Sequence, residues 1–259
     1  MALPILETAT YELTLPSKDV KVKFRPFLVK EEKVLLQALE SQDDKEITNA
    51  LKQIVHSCTF GSIDINTLPL FDVEYIFLQI RAKSVGEIAK LKLLCPDDGK
   101  SYAEIELDLS KVEVHVEDEH NNNIVVDEKK KIGIIMSYPT INSTDFTTTG
   151  KGMKTKQMFD LLANTVYQVY EGDKIHNAGD YTKEEMHKFL ESLDSKTYKK
   201  INDFFDTMPK LKQEVELENP KTKIKSKITL SGLSDFSYCP LSRIVRELLS
   251  GEFCINATS

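Results

Sequence analysis

Two pairs of alternating runs, each folded back on a proline turn, constrain this chain more than any other feature. IAKLKLLC and SYAEIELDL flank Pro96-Asp97-Asp98-Gly99, with Ile105, Leu107 and Leu109 on one face, and KLKQEVELE and KIKSKITL flank Asn219-Pro220-Lys221-Thr222. A two-residue period turns apolar side chains to one side only, so each pair predicts an antiparallel hairpin with one buried and one wet face. A lone hairpin is marginal in water. The two are therefore expected to pack near each other and join the two halves of the chain.

The turns pose a chemical question. Cys95-Pro96-Asp97-Asp98-Gly99-Lys100 has the outline of half a zinc ribbon, in which C-P-x-C-G presents two thiolates and a second such turn completes a tetrahedron. Asp98 stands in the second cysteine's place, and Asn219 and Thr222 hold both ligand places of the partner turn. One thiolate is not a metal site, and only Cys239 and His115, reaching through space, could restore one. No cofactor and no stoichiometric zinc are expected, which leaves the hairpins to be held by packing.

Elsewhere the period changes along the chain. TYELTL and VKVKF, around Pro16-Ser17-Lys18-Asp19, predict an N-terminal hairpin with Val20, Val22 and Phe24 on one face. VKEEKVLLQALES puts two glutamates in a first helical turn, where they favour the macrodipole, and Val34, Leu35, Ala38 and Leu39 on one stripe. Asp43 or Asp44 caps a second helix striped by Ile47, Ala50, Leu51, Ile54, Val55 and Cys58. Val73, Ile76, Phe77 and Ile80 stripe a third, which Gly86 ends. Residues 29–85 thus read as a three-helix block.

Strands at VEVHVE, NIVVDE and KIGIIMSY predict a β meander, with a loop over 142–152 after it. Helical spacing resumes at Met158, Leu161, Leu162, Thr165, Val166 and Val169, and a polar loop through Gly172 and Gly179 follows. Thr182 with Glu185 reads as a capping box for a helix carrying Met186, Phe189 and Leu190. Tyr198, Ile201, Phe204, Phe205 and Met208 line another helix, ended by Pro209, and Leu241, Ile244, Val245, Leu248 and Leu249 a last one. The order helix, strand, proline turn, strand occurs over 71–109 and again over 198–230, a faint internal repeat.

The expected class is α+β. Residues 1–110 hold the N-terminal hairpin, the helical block and the first ribbon-like hairpin; 111–150 hold the meander and loop; 151–259 hold the remaining helices and the second ribbon-like hairpin. All three stretches are expected to form one integrated folding unit.

Composition narrows the function. A chain of 259 residues, 41% hydrophobic, can bury a real core. A net charge of -7 with pI near 5.4 opposes a phosphate backbone, so nucleic acid is not the expected partner. No apolar run suits a signal segment or a bilayer span, and no membrane is expected. Cys58, Cys95, Cys239 and Cys254 are irregularly spaced, as reduced thiols are, and the triplets at Asn142 and Asn256 mean nothing without secretion.

Catalytic patterns are missing from the sequence. His56, His115, His120, His176 and His187 are scattered and lie beside no nucleophile motif, TTTGKGMKTK lacks the spacing of a phosphate loop, and Glu117-Asp118-Glu119 reads as a solvated strand end. The profile is that of a binding or structural protein and not of an enzyme, with no small-molecule ligand expected.

Two stretches carry a resemblance. LPSKDVKVKFRPFLVKEEKVLLQALES, from Leu15 to Ser41, and LPLFDVEYIFLQIRAKSVGE, from Leu68 to Glu87, closely resemble T4-like phage baseplate proteins associated with the central hub. Its diagnostic elements are Arg25-Pro26-Phe27, Glu31-Glu32-Lys33, Asp72-Val73-Glu74-Tyr75 and the run from Arg81 to Glu87. It is strong over 10–110 and returns at Ser231-Gly232-Leu233-Ser234-Asp235-Phe236. Some members of that family carry cysteines in their turns, and this chain departs from them.

The resemblance implies a baseplate hub component or hub assembly factor acting through contacts with other hub proteins. It implies the host cytoplasm during assembly, the virion tail baseplate if the protein is a retained subunit and not a factor that leaves, and no catalytic residues. The rival reading, a zinc-ribbon-like adaptor for nucleic acid or a polymerase, is opposed by the acidic balance and the missing thiolates. Partner contacts are expected on the aromatic-rich helices 71–84 and 197–208, with Phe71, Tyr75 and Tyr198 as anchors.

Overall fold

The N-terminal alternation becomes an antiparallel hairpin, β1 (Tyr11–Thr14) and β2 (Lys21–Phe24), in which Leu13, Val22 and Phe24 are buried. Val20, expected on the same face, is 48% exposed because the ladder starts at Lys21 and Val20 lies in the turn. The structure, a computed structural model, describes residues 7–41, 43–143, 155–231 and 252–255.

Three helices follow: α1 (Val29–Ser41), α2 (Asp44–Cys58) and α3 (Leu70–Val85). Asp43 is the cap of α2, accepting the Lys45 amide, and every residue of the expected α2 stripe is buried. In α3 burial exceeds the stripe, since Phe71, Asp72, Leu78, Gln79, Arg81 and Ala82 are buried beside Val73, Ile76, Phe77 and Ile80. A helix buried over most of its surface tolerates polar groups only when they are matched. Asp72 accepts the Ser17 amide at 3.2 Å and the Ser17 hydroxyl, and Arg81 donates to the Gly86 carbonyl at 2.8 Å. Gly86 itself sits at φ 139, a backbone that glycine adopts freely, and there α3 ends.

The ribbon-like hairpins form at their expected places. β3 (Ile88–Leu94) pairs with β4 (Tyr102–Asp108), burying Ala89, Leu91, Leu93, Ala103 and Leu107. Further along, β5 (Glu113–His115), β6 (Asn123–Asp127) and β7 (Ile132–Met136) are strands, but only the last two begin a meander. It continues after α4 (Thr155–Thr165) with β8 (Val166–Glu171) and β9 (Lys174–Asn177), in the sheet order β6-β7-β8-β9.

Val166 and Val169, read above as a continuing helical stripe, are therefore strand residues. Thr165 ends α4 by donating its hydroxyl back to the Leu161 and Leu162 carbonyls, and VYQVYE, alternating and rich in β-branched and aromatic residues, extends. The polar loop at Gly172 is the turn of the β8-β9 hairpin.

Two helices complete this region. α5 (Lys183–Glu191) carries both arms of the Thr182/Glu185 capping box, and α6 (Ser195–Thr207) is capped by Asp194 and stops before Pro209. β10 (Lys210–Glu218) and β11 (Lys225–Ser231) form the second ribbon-like hairpin, and β5 lies on the far side of β10. β12 (Glu252–Ile255), unforeseen, runs parallel to β3. The expected last helix, the loop from residue 144 on, the family-like ending after Ser231 and Cys239 lie outside the described residues.

The chain makes two compact units, Met1–Val114 with Lys210–Ser259, and His115–Pro209. The first holds the hairpin, the three helices and both ribbon-like hairpins, with β10 packed against α3 and β4. The second closes around Ile124, Ile134, Met136, Leu162, Ile201 and Phe204. Of the two repeat copies, the hairpins share the first unit with α3, whereas α6 belongs to the second.

Candidate functional site

The two ribbon-like hairpins carry the same turn. In the first, the Cys95 amide donates to the Ser101 carbonyl at 2.8 Å and the Gly99 amide to the Cys95 carbonyl at 2.9 Å. In the second, the Asn219 amide donates to the Ile224 carbonyl at 3.0 Å and the Lys223 amide to the Asn219 carbonyl at 2.9 Å. The fifth residue of each is left-handed, φ 61 at Gly99 and φ 62 at Lys223. These are two knuckles of one design, the second shorter by one residue.

Their chemistry differs at the ligand-like places. Asp98 is used within its own knuckle, accepting the Lys100 amide at 3.0 Å, the Ser101 amide at 2.9 Å and the Ser101 hydroxyl at 2.6 Å. Asn219 accepts the Lys221 and Thr222 amides on Oδ1, at 2.8 and 3.3 Å, and sends Nδ2 across to both oxygens of Asp97, at 2.9 and 3.0 Å. The Thr222 hydroxyl donates to the same Asp97 carboxylate. Asp97 is thus the joint between the knuckles, a role the sequence reading missed by attending to ligand positions alone. Its signal was an acid in one turn and two side-chain donors, Asn and Thr, in the other.

Structural zinc sites of this kind take thiolate and imidazole donors in a tetrahedron. Here the four places hold a buried thiol, a carboxylate, an amide and a hydroxyl, and the last three already have hydrogen-bond partners. That set does not fit zinc. Among the described residues no group of three or more His, Cys, Asp or Glu is placed to hold a metal. Hydrogen bonds from Thr222 and then Asn219 hold the Asp97 carboxyl below the usual range, and those from Ser101 hold Asp98 well below it. Burial pushes the Cys95 thiol up.

A second polar arrangement ties β2 to the helices. Arg25 and Glu31 are both buried, with Nη2 2.8 Å from Oε1, and the other guanidinium nitrogen donates to the Pro26 carbonyl at 2.9 Å. The Leu28 amide donates to Glu31 at 2.9 Å, the Arg25 amide to the Cys58 carbonyl at 2.9 Å, and the Phe27 amide to the Ser84 hydroxyl at 2.9 Å. Burial pushes the Glu31 carboxyl up, but the bonds from Arg25 and Leu28 outweigh it and the pKa falls below the ordinary value. Glu31 stands in the first turn of α1, as expected, and is also half of a buried ion pair. Burial raises the neighbouring Cys58 thiol to about 11, as suits core packing.

Residues 25–31 are thereby tied to the C-terminal ends of α2 and α3, and exposed apolar side chains occur next in sequence to the tied residues. Val29 is 79% and Phe60 58% exposed, with Leu28 and Val85 also exposed. Phe60 holds φ 56, a left-handed backbone that costs a non-glycine residue about 1 kcal/mol.

The family model described as T4 bacteriophage base plate protein matches residues 8–236. The chain belongs to that family. No curated protein and no solved structure matches it. The matched span takes in both knuckles and both stretches of resemblance, so this is a bacteriophage baseplate protein, and the family implies a place in the virion tail.

Several motif residues of this baseplate protein are architectural: Arg25, Glu31, Asp72 and Arg81 are all buried and hydrogen-bonded. Of the expected anchors, Phe71 is 5% exposed and packs inside the first unit. Tyr75 is half-buried on a groove between β1 and α3. Tyr198, half-buried in the second unit, donates its hydroxyl to the Met158 sulfur at 3.5 Å and stacks on Phe159. The three do not form one cluster.

Histidines take structural partners. His120 lies between Thr207 and Tyr138, 3.0 Å from each, and His176 is 2.6 Å from the Tyr181 hydroxyl.

Proposed function

We propose that this baseplate protein is a hub component or hub assembly factor that works by binding other hub proteins and performs no chemistry of its own. The observation that carries the reading is the exposure of the apolar side chains Leu28, Val29, Phe60 and Val85, which lie next in sequence to residues tied together by the Arg25–Glu31 pair and the Arg25–Cys58 and Phe27–Ser84 bonds. Exposed apolar side chains on a backbone fixed in advance bind without a large ordering cost. Tyr75 and Tyr198, both half-buried, remain candidate contacts; Phe71 is buried and is not offered to a partner as the chain stands.

In this reading the protein meets its partners in the host cytoplasm and acts at the tail baseplate. The test uses Val29→Glu and Phe60→Asp, chosen because the first is exposed and the second tolerates a positive φ. Both variants are expected to give wild-type circular dichroism and to block tail assembly when they replace the native protein during infection. Normal yields of infectious particles from both would overturn the reading. Mass spectrometry of purified tails beside infected-cell lysate distinguishes a retained subunit from a factor that leaves.

A further inference from the structure

We infer that the second unit carries a sugar-binding pocket, walled by Tyr167 and Tyr181, that takes one uncharged ring of a glycan. This goes beyond the hub reading and does not depend on it. The pocket measures about 500 Å³, a size common among small-ligand sites, and all its lining residues lie between Ser137 and Met186, within the one unit.

Its first wall comes from an irregularity in β8. Val166 and Val169 both pack on the core although they are three residues apart, a spacing that a regular strand cannot put on one face. The ladder shows why: Met136 pairs with Val166 and Ile135 with Gln168, so Tyr167 is the extra residue of a bulge. A bulge re-aims a side chain. Packing of the two valines asks only for an extra residue there, and a small polar one would serve. Tyr167 supplies instead a ring that is 58% exposed, lines the pocket and makes no hydrogen bond among the described residues.

The second wall is held from two directions. Tyr181 precedes the Thr182 cap of α5, and Met186 is the fourth residue of that helix, the two positions of a hydrophobic staple, and both line the pocket. The Tyr181 hydroxyl lies 2.6 Å from His176 Nδ1. Its ring is thus fixed in direction, yet the residue stays 43% exposed. Among the described tyrosines only Tyr102, Tyr167 and Tyr181 are exposed, and two of the three share this pocket.

The rest of the lining specifies the occupant. Asn164, exposed near the end of α4, has no hydrogen bond among the described residues, so its amide is free to donate and to accept. Asn177 accepts from Gln168 at 2.9 Å and reaches Asp180 only at 3.4 Å. Lys183 is the one charged side chain of the lining, and Asp180, Glu184 and Glu185 stand close to it in sequence, which disfavours phosphate and other strong anions. The apolar lining, Ala163, Val166 and Met186, is buried and offers little area to an apolar ligand. What fits is a molecule with a C–H face to lie on a tyrosine ring and hydroxyls at its edge that give and take hydrogen bonds. A pyranose ring is such a molecule.

Calorimetry on the full chain tests the inference with trisaccharides of glucose and of N-acetylglucosamine, and with sugars released from host peptidoglycan and from host surface polysaccharide. At least one of the four is expected to bind in the micromolar to millimolar range, and the host fraction that binds identifies the source. Tyr167→Ala should weaken that binding about tenfold and Asn164→Ala about fivefold, while Tyr167→Phe, which keeps the ring, stays near wild type. Tyr102→Ala, on β4 of the first unit, should change nothing.

No binding by any of the four at millimolar concentrations would overturn the inference. So would binding that Tyr167→Ala and Asn164→Ala leave intact, or that Tyr102→Ala weakens equally. Circular dichroism checks each variant, and if Tyr167→Ala does not fold, Asn164→Ala decides. The hub reading is tested by tail assembly and stands or falls separately.

Discussion

The first knuckle is closed on itself, whereas the second is closed on its neighbour. Asp98 spends its carboxylate on Lys100 and Ser101 of its own turn, and Asn219 divides its amide between its own turn and Asp97. A metal would have held both turns by their first and fourth residues. Here the bond runs instead from the third residue of one turn to the first and fourth of the other. The backbone of a metal-binding ribbon can thus persist when hydrogen bonds replace the ligands, since each turn's main-chain geometry is stabilised locally.

The strongest way to break this comparison is to restore the ligands. Asp98→Cys, Asn219→Cys and Thr222→Cys together should give a protein that binds about one zinc per chain, a site stabilised by roughly 10 kcal/mol or more. Wild type should hold no stoichiometric zinc by elemental analysis after dialysis. Failure of the triple variant to bind metal would show that the two turns are alike only in outline.

Next in size is Asn219→Ala. Asn219 is fully buried, and losing its amide leaves the Lys221 and Thr222 amides without an acceptor and Asp97 with Thr222 alone, at a cost of about 2–3 kcal/mol by urea unfolding. Because β10-β11 depends on this joint more than β3-β4 does, hydrogen exchange should quicken first around Lys221 and Thr222.

Acid sharpens the same point. Asp97 and Asp98 have folded pKa values below the ordinary one, so the unfolded chain takes up protons first. Their contribution is fully present above the unfolded pKa of about 3.9 and is lost as pH falls through the lower folded values. The urea midpoint should drop as pH falls below about 4, and Asp97→Asn should flatten that drop. An unchanged slope would mean the joint contributes little.

The smallest effects lie at the two left-handed residues. Gly99→Ala should cost about 1 kcal/mol, while Lys223→Gly should gain no more than about 1 kcal/mol, since glycine removes strain but loosens the unfolded chain. Opposite signs at equivalent places would confirm that the turns are one design.

Much of this was legible in the sequence because local pattern and tertiary demand agreed. The α2 stripe, the Thr182/Glu185 box and both ribbon hairpins are amphipathic segments whose period survives folding. The solvent faces agree too: Lys92 stands opposite Glu104 at 3.2 Å and Glu216 opposite Lys227 at 3.2 Å. Illegible features were those decided at long range. Helical spacing ran through Thr165 into β8 because Val166 and Val169 suit either period, and only the neighbouring β7 and β9 chose between them. Nothing local in the sequence pairs Glu31 with Arg25, six residues earlier, and nothing local buries Phe71 at the start of α3.

The Asn219–Asp97 bond joins residues 122 positions apart, and the whole second unit is written between them. On a ribosome adding about 5–20 residues per second, the first knuckle emerges roughly 6–24 s before its counterpart. During that interval the later-encoded half of the first unit does not yet exist, while every residue of the second unit is made. The order of synthesis thus lets His115–Pro209 fold early, as a finished insert, and leaves the outer unit to close last around β5 and β10, adjacent strands through which the chain departs and returns. A chain truncated after Pro209 and released from the ribosome should then protect residues 115–209 from protease and leave β3-β4 open to it.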